Sequence, residues 1–312
     1  MYYPYFRGKQ YDLITIRDCA DLMARKGFVP IIEPVKESIN ALTRTLQTLD
    51  EKGCKAILIV NPKNGDHSID SSLISNLFSN TLADHSKISA GIILNNNITA
   101  QAAFEISQEY NEKTITFIHA GFNEPATLAR LIKDENSSYE HIFLEDYCGK
   151  LYRRHFKSPN RVLIRDSFKK RANKEHPVVE FFSDLHATFE EEGMNGFGDF
   201  LIVGDNYSES GGPAYAVAIH ITYIDRERDD GMYIHHFKSD RNDTPTDPGG
   251  KFAEALRKLI KEIESPDTKI IKTDAIREFQ ALHNSGHFPG LGSVKKLSMK
   301  HHIETMANYS HD

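Results

Sequence analysis

Short runs of apolar residues return along the first two-thirds of the chain, and each ends in a polar or charged residue. They occupy 29–32 before Glu33, 56–60 before Asn61, 91–94 before Asn95, 115–118 before His119, 141–144 before Glu145, 162–164 before Arg165 and 200–204 before Asp205. Strands that are apolar throughout, rather than alternating, are what a parallel sheet covered on both faces requires. Between most of these runs the period becomes helical. Ser38 caps a segment whose Ile39, Leu42, Leu46 and Leu49 share one face before Gly53 ends it. Similar segments cover 69–83, 100–110, 125–133 and 178–192, and a first helix starting near Arg7 points Leu13, Ile16, Ala20 and Met23 at the core. Such strand–helix alternation predicts βα units whose polar strand-terminal residues emerge together at the carboxyl edge of the sheet.

After Asp205 the pattern changes. A polar loop over 206–213 leads into 214–223, and a charged turn separates that run from 232–237, which reads as an antiparallel hairpin. Helical spacing returns with Phe252, Leu256, Leu259 and Ile263, then with Ile276, Phe279 and Leu282, and a candidate last strand falls at 269–271. The predicted fold is therefore α/β: a TIM-like (βα)8 or incomplete barrel with a β-hairpin inserted after the seventh strand. It is read as one domain over 1–312, with the hairpin insertion at about 206–248.

Composition narrows the function classes. The 312 residues carry 38 basic against 44 acidic side chains, a net charge of −6, so no global basic field draws the chain to nucleic acid or anionic membrane. Cys19, Cys54 and Cys148 form no close pair, which argues against a disulfide framework. The first residues show no basic stretch followed by an apolar core, and no uncharged apolar run nears roughly 20 residues. A cytoplasmic protein without a membrane span is expected.

Candidate chemistry follows from the strand ends. Glu33, Glu145 and Asp205 at one mouth would offer oxygen ligands to Mg or another divalent cation, and His119 would move a proton near neutral pH. Asn61, Asn95 and Arg165 would line the same mouth as binding residues. The competing structural reading is that Glu33 or Glu145 pairs with Arg165 or a nearby lysine to close a polar barrel end. Lys169 and Lys170, continuing into Arg171 and Lys174, form a basic cluster suited to phosphates, as do Arg153 and Arg154 with Lys157. Gly211 and Gly212 would let backbone amides approach an anion. His220 can be joined by only one of His235 and His236, because neighbours on a strand face opposite ways. That pair falls short of the three or four ligands zinc takes. There is no P-loop, no Gly-x-Gly-x-x-Gly fingerprint and no nucleophile elbow.

The opening Tyr3-Pro4-Tyr5-Phe6-Arg7-Gly8-Lys9-Gln10-Tyr11, with Pro30-Ile31-Ile32-Glu33-Pro34-Val35-Lys36, resembles the bacterial and phage beta-protein-like family. Segments 211–220 and 289–296 resemble its bacterial branch. The resemblance implies a barrel-like α/β protein, often beside a nuclease-like gene in defence-associated loci. On that basis the expected function is a partner-dependent subunit of a bacterial two-component phage-defence system. Its mouth and hairpin would bind a protein, encoded nearby and nuclease-like, or a nucleic acid or nucleotide. The alternative expectation is a metal-assisted hydrolase acting on a phosphorylated or nucleotide-like small molecule.

Overall fold

The computed structural model describes residues 1–133, 139–157, 159–209 and 211–309. The chain divides into two compact units, one made of 1–166 with 188–200, the other of 167–187 with 201–312.

The first unit is a TIM-like barrel. Its elements begin with β1 (Tyr2–Phe6), α1 (Gln10–Lys26), β2 (Ile31–Ile32), α2 (Asn40–Glu51), β3 (Ala56–Ile59), α3 (Ser72–Asn76), β4 (Ile88–Leu94) and α4 (Ala100–Glu109). They continue with β5 (Ile115–His119), α5 (Pro125–Leu131), β6 (Glu140–Leu144), α6 (Lys150–Arg153) and β7 (Arg161–Arg165). Next come β8 (Val179–Ser183), which belongs to the second unit, the short α7 (Leu185–Thr188) and β9 (Gly196–Asp199). Among the described residues the closed barrel runs β1-β2-β3-β4-β5-β6-β7-β9, and its ladders are parallel. Alternate strand positions, including Tyr3, Tyr5, Ile31, Ile57, Ile93 and Ile142, form one buried cluster. Each such side chain contributes on the order of 1.5–3 kcal/mol by leaving water.

The first and last barrel strands differ from the sequence pattern. The sequence pattern names no strand before the first helix, and an aromatic run broken by Pro4 does not look like a central strand. In the fold all five of its residues are buried and it pairs with both β2 and β9. The eighth barrel strand is Gly-Phe-Gly-Asp at Gly196–Asp199, not 200–204. A Cβ on Gly198 would lie 2.1 Å from the Tyr3 carbonyl oxygen and 2.8 Å from Ile164 Cδ1, so this strand trades apolar bulk for close approach. With β1 counted, the hairpin follows the eighth barrel strand rather than the seventh, and 269–271 is not a strand.

The second unit holds a three-stranded antiparallel sheet, ordered β10 (Ala218–Asp225), β11 (Gly231–Lys238), β8. Helices α8 (Pro248–Ile263), α9 (Asp274–Ser285) and α10 (Leu291–Asn308) complete it. Ile219 and Ile221 of β10 and Phe237 of β11 pack on Phe252, Leu256 and Phe279 of the helices. The helix expected over 178–192 is instead β8 followed by one turn, because Val178, Val179, Phe181 and Phe182 favour a strand that β11 can pair. No helix of the described residues is long and apolar enough to cross a membrane.

Candidate metal centre

At the barrel's carboxyl end the expected carboxylates are committed to internal pairs. Glu33 is fully buried. Its Oε1 accepts from Lys63 N, Asn64 N and Asn64 Nδ2, each at 3.0 Å, while Oε2 accepts from Tyr5 Oη at 2.9 Å and from Arg7 Nη1. The Arg7 guanidinium also lies 4.9 Å from the Tyr5 ring centre. Glu145 is gripped by Arg165, with Nε and Nη2 donating at 2.5 and 3.1 Å. Asn61 bridges strand ends, donating to Ile93 O and accepting from Ile93 N, and Asn95 Oδ1 closes a turn by accepting from Asn97 N.

Three further assignments need correction. His119 does not face the mouth: Ile118 points into the barrel and its neighbour points out. There His119 stacks on Phe143 and meets Phe156 at a tilt, with Nδ1 2.7 Å from Tyr152 Oη and Nε2 3.0 Å from His141 Nδ1. Burial, then His141, holds it well below the usual histidine pKa. Asp205 belongs to the second unit, beyond any strand end, and the strand-terminal carboxylate is Asp199, which accepts from Tyr2 Oη at 2.8 Å. Finally, Glu33, Glu145 and Asp205 do not form a metal group. Among the described residues, the one set of three or more histidine, cysteine or acidic side chains with ligand atoms all within 4.8 Å is His176, His220 and His236.

That set is assembled by strand register. His220 on β10 lies directly opposite His236 on β11, and their Nδ1 atoms are 2.7 Å apart. His235 faces the other way and stacks on Phe237 at 3.8 Å. His176, just before β8, stacks on His236 with ring centres 4.3 Å apart, and meets His220 edge-on at 5.1 Å. Its Nδ1 is buried without a hydrogen-bond partner, lying 3.7 Å from Glu180 Oε1. Glu180 on β8 takes the outer nitrogen of His236, with Nε2 3.2 Å from Oε1, and is itself held by Arg171 at 3.2 Å and Lys169 at 3.6 Å. Burial lowers all three imidazole pKa values: His236 to about 4, His220 well below the usual value, and His176 with a further push from Arg171. Burial thus disfavours the charged form of all three rings, and across the 2.7 Å Nδ1–Nδ1 contact one of His220 and His236 donates to the other.

A cavity of about 400 Å³ opens beside the cluster, with His176 and His220 in its wall. Lys170 and Gly211 line it too, whereas Lys169 is turned to Glu180 and Gly212 is exposed outside the lining. The other basic cluster is partly spent, since buried Arg153 donates to Glu192 at 3.0 Å. Sequence reading missed His176 and Glu180. Both stood in a stretch expected to be irregular or helical, and only the pairing of β8 with β11 carries them to the hairpin.

No protein-family model matches the chain, and no curated protein matches it in sequence. Solved structures do match. An N-acetylneuraminate lyase from Mycoplasma synoviae aligns over 64% of this chain and 68% of its own, with 10% identity and a TM-score of 0.42. A Ruminococcus gnavus sialic acid aldolase aligns over 64% and 67%, at 10% identity and a TM-score of 0.41. A tryptophan synthase from M. tuberculosis aligns over 64% and 81%, at 11% identity and a TM-score of 0.39. The matched structures are enzymes. The mouth residues assigned to partner binding are occupied with one another. The expectation of a partner-dependent defence subunit is corrected by that internal pairing, which leaves the strand-end residues bonded within the chain.

Proposed function

We propose that this chain is a metal-dependent enzyme whose second unit binds a divalent transition-metal ion through His176, His220 and His236. The observation that carries this reading is the convergence of three neutral imidazoles, from three separate segments, at the wall of a small-molecule-sized cavity. Structural zinc sites are closed by four protein ligands, whereas catalytic ones keep three and leave a position open. An ion held there supplies Lewis-acid chemistry, polarising a bound oxygen or lowering the pKa of bound water to about 7. Imidazole nitrogens suit zinc, and also copper, iron and nickel.

The protein's own groups have separable tasks. Glu180, accepting from Nε2 of His236, fixes the tautomer that turns the Nδ1 lone pair to the centre, the usual role of a carboxylate behind a metal-bound histidine. Arg171 and Lys169 hold that carboxylate in place. Tetrahedral ligation at roughly 2.0–2.1 Å would need His220 and His236 to part from their 2.7 Å contact.

Equilibrium dialysis against zinc, with metal content measured by mass spectrometry, tests the reading. One ion per chain is expected for the parent, near zero for His220→Ala with His236→Ala, and one again for His235→Ala. Equal zinc content in parent and double variant would end the proposal.

A further inference from the structure

We infer that the ligand of this pocket is an amphiphilic oxyanion: a small molecule with an apolar body and a carboxylate or phosphate group. That it is a substrate, not only a ligand, rests on the metal reading above.

Charge sets the sign. The charged side chains lining the cavity are Lys170, Arg171 and Lys295, and among the described residues no aspartate or glutamate lines it. This is a local reversal in a chain of net charge −6. Arg171 is shared with Glu180, so part of its charge is already balanced. Lys170 comes from the stretch before β8 and Lys295 from α10, so two separate segments bring cations to the lining. Low-dielectric walls around like-signed groups raise the local concentration of the opposite ion.

The rest of the wall sets the body. Ile202, Val203, Val217, Leu291 and Val294 are apolar, and Phe168 packs edge-on against His220 with ring centres 5.2 Å apart. A fully hydrated anion such as free phosphate gains nothing from these surfaces, whereas an alkyl or aryl carboxylate or phosphate ester buries its chain there. The same cavity therefore joins a cationic anchor, an apolar wall and the proposed metal position.

The test uses the full chain, zinc-free and zinc-loaded, titrated with hexanoate, hexyl phosphate, hexanol and hexylamine and read by ligand-observed NMR. Both anions, or one of them, should bind at least tenfold more tightly than hexanol, and hexylamine should not bind. Preference for hexanoate or for hexyl phosphate identifies which oxyanion the pocket takes, and either supports the inference. Lys170→Glu with Lys295→Glu should weaken the anions at least tenfold and leave hexanol unchanged, its zinc content and circular dichroism confirming that the fold is intact. Leu291→Asp, a second variant, should weaken the anions too. Hexanol or hexylamine binding as well as the anions would overturn the inference. An anion preference without zinc uptake would remove the metal reading and leave the ligand class standing; zinc uptake without an anion preference would do the reverse.

Discussion

Replacing Glu33 by Gln asks whether the buried carboxylate at the barrel's end is a structural lock or a reactive group. The carboxylate accepts five hydrogen bonds and faces one guanidinium, all within the barrel unit. Gln keeps the shape but only one accepting oxygen. If that oxygen stays with Lys63 N, Asn64 N and Asn64 Nδ2, the new NH2 group faces Tyr5 Oη and Arg7, both donors. If it turns, the three amide donors lose their acceptor instead. In the first case Arg7, 5% exposed, loses the carboxylate it is paired with. Breaking a buried pair from one side costs about 3–5 kcal/mol, a factor of roughly 10² to 5 × 10³ in the folding equilibrium. Urea unfolding followed by far-UV circular dichroism measures it. Zinc content should be unchanged, because the proposed ligands belong to the other unit. A loss under about 1 kcal/mol would refute the lock, and lost turnover with full stability would return Glu33 to the chemistry.

Other outcomes follow from the same geometry. His301 is wholly buried between Thr273 Oγ1 at 2.7 Å and the Thr222 carbonyl at 2.9 Å, and burial lowers its pKa to about 4. Because the folded value lies below the unfolded one, its stabilisation is complete above about pH 6.5 and declines as pH falls towards 4, by about 3 kcal/mol in all; melting curves of His301→Gln should show a shallower acid slope, and an unchanged slope would contradict this. Zinc binding at ~1 μM affinity adds about 2.7 kcal/mol at ~100 μM ion, so zinc should raise Tm and EDTA should reverse the rise, with no such rise in His220→Ala. Gly198→Ala forces a methyl to 2.1 Å from a backbone oxygen; a loss above the usual 1–3 kcal/mol of overpacking is expected in urea titrations, and a neutral result would mean the β1–β9 approach is looser than described.

The barrel's middle strands were legible because each buries both faces, so β3 to β7 appear as uninterrupted apolar runs. Its two closing strands were not. β1 carries aromatic residues and a proline, and β9 is half glycine, because they meet where Tyr3 needs room against Gly196 and Gly198. Close packing there removes the very side chains that announce a strand. β8 was hidden for another reason: at the edge of a three-stranded sheet it leaves Phe181 47% exposed, and a half-exposed apolar stretch carries no clean period.

The candidate site divides along the same physical line. Position at a strand end marked Glu33, Glu145 and Arg165 correctly as residues at the barrel's carboxyl edge, but position says nothing about partners. Arg7 and Arg165 decide the outcome, because a carboxylate already paired with a guanidinium, as buried Glu33 and partly exposed Glu145 are, has its charge balanced and little incentive to bind a cation. The histidines show the opposite case. His220 and His236 become opposite neighbours only through an antiparallel register that the hairpin turn sets, and His176 and Glu180 reach them only through β8. Ligands drawn from three segments leave no spacing to read. What a sequence does retain is parity: His235 and His236 must face opposite ways, so one was always destined for the apolar side, and its stacking on Phe237 leaves the other for the cluster. A one-residue slip in the β10–β11 register would therefore exchange the two, placing His235 beside His220 and dissolving the centre. Inserting one residue into the 226–230 turn should abolish zinc uptake while the barrel unit keeps its urea transition; retained uptake would show that the ligands do not depend on the register.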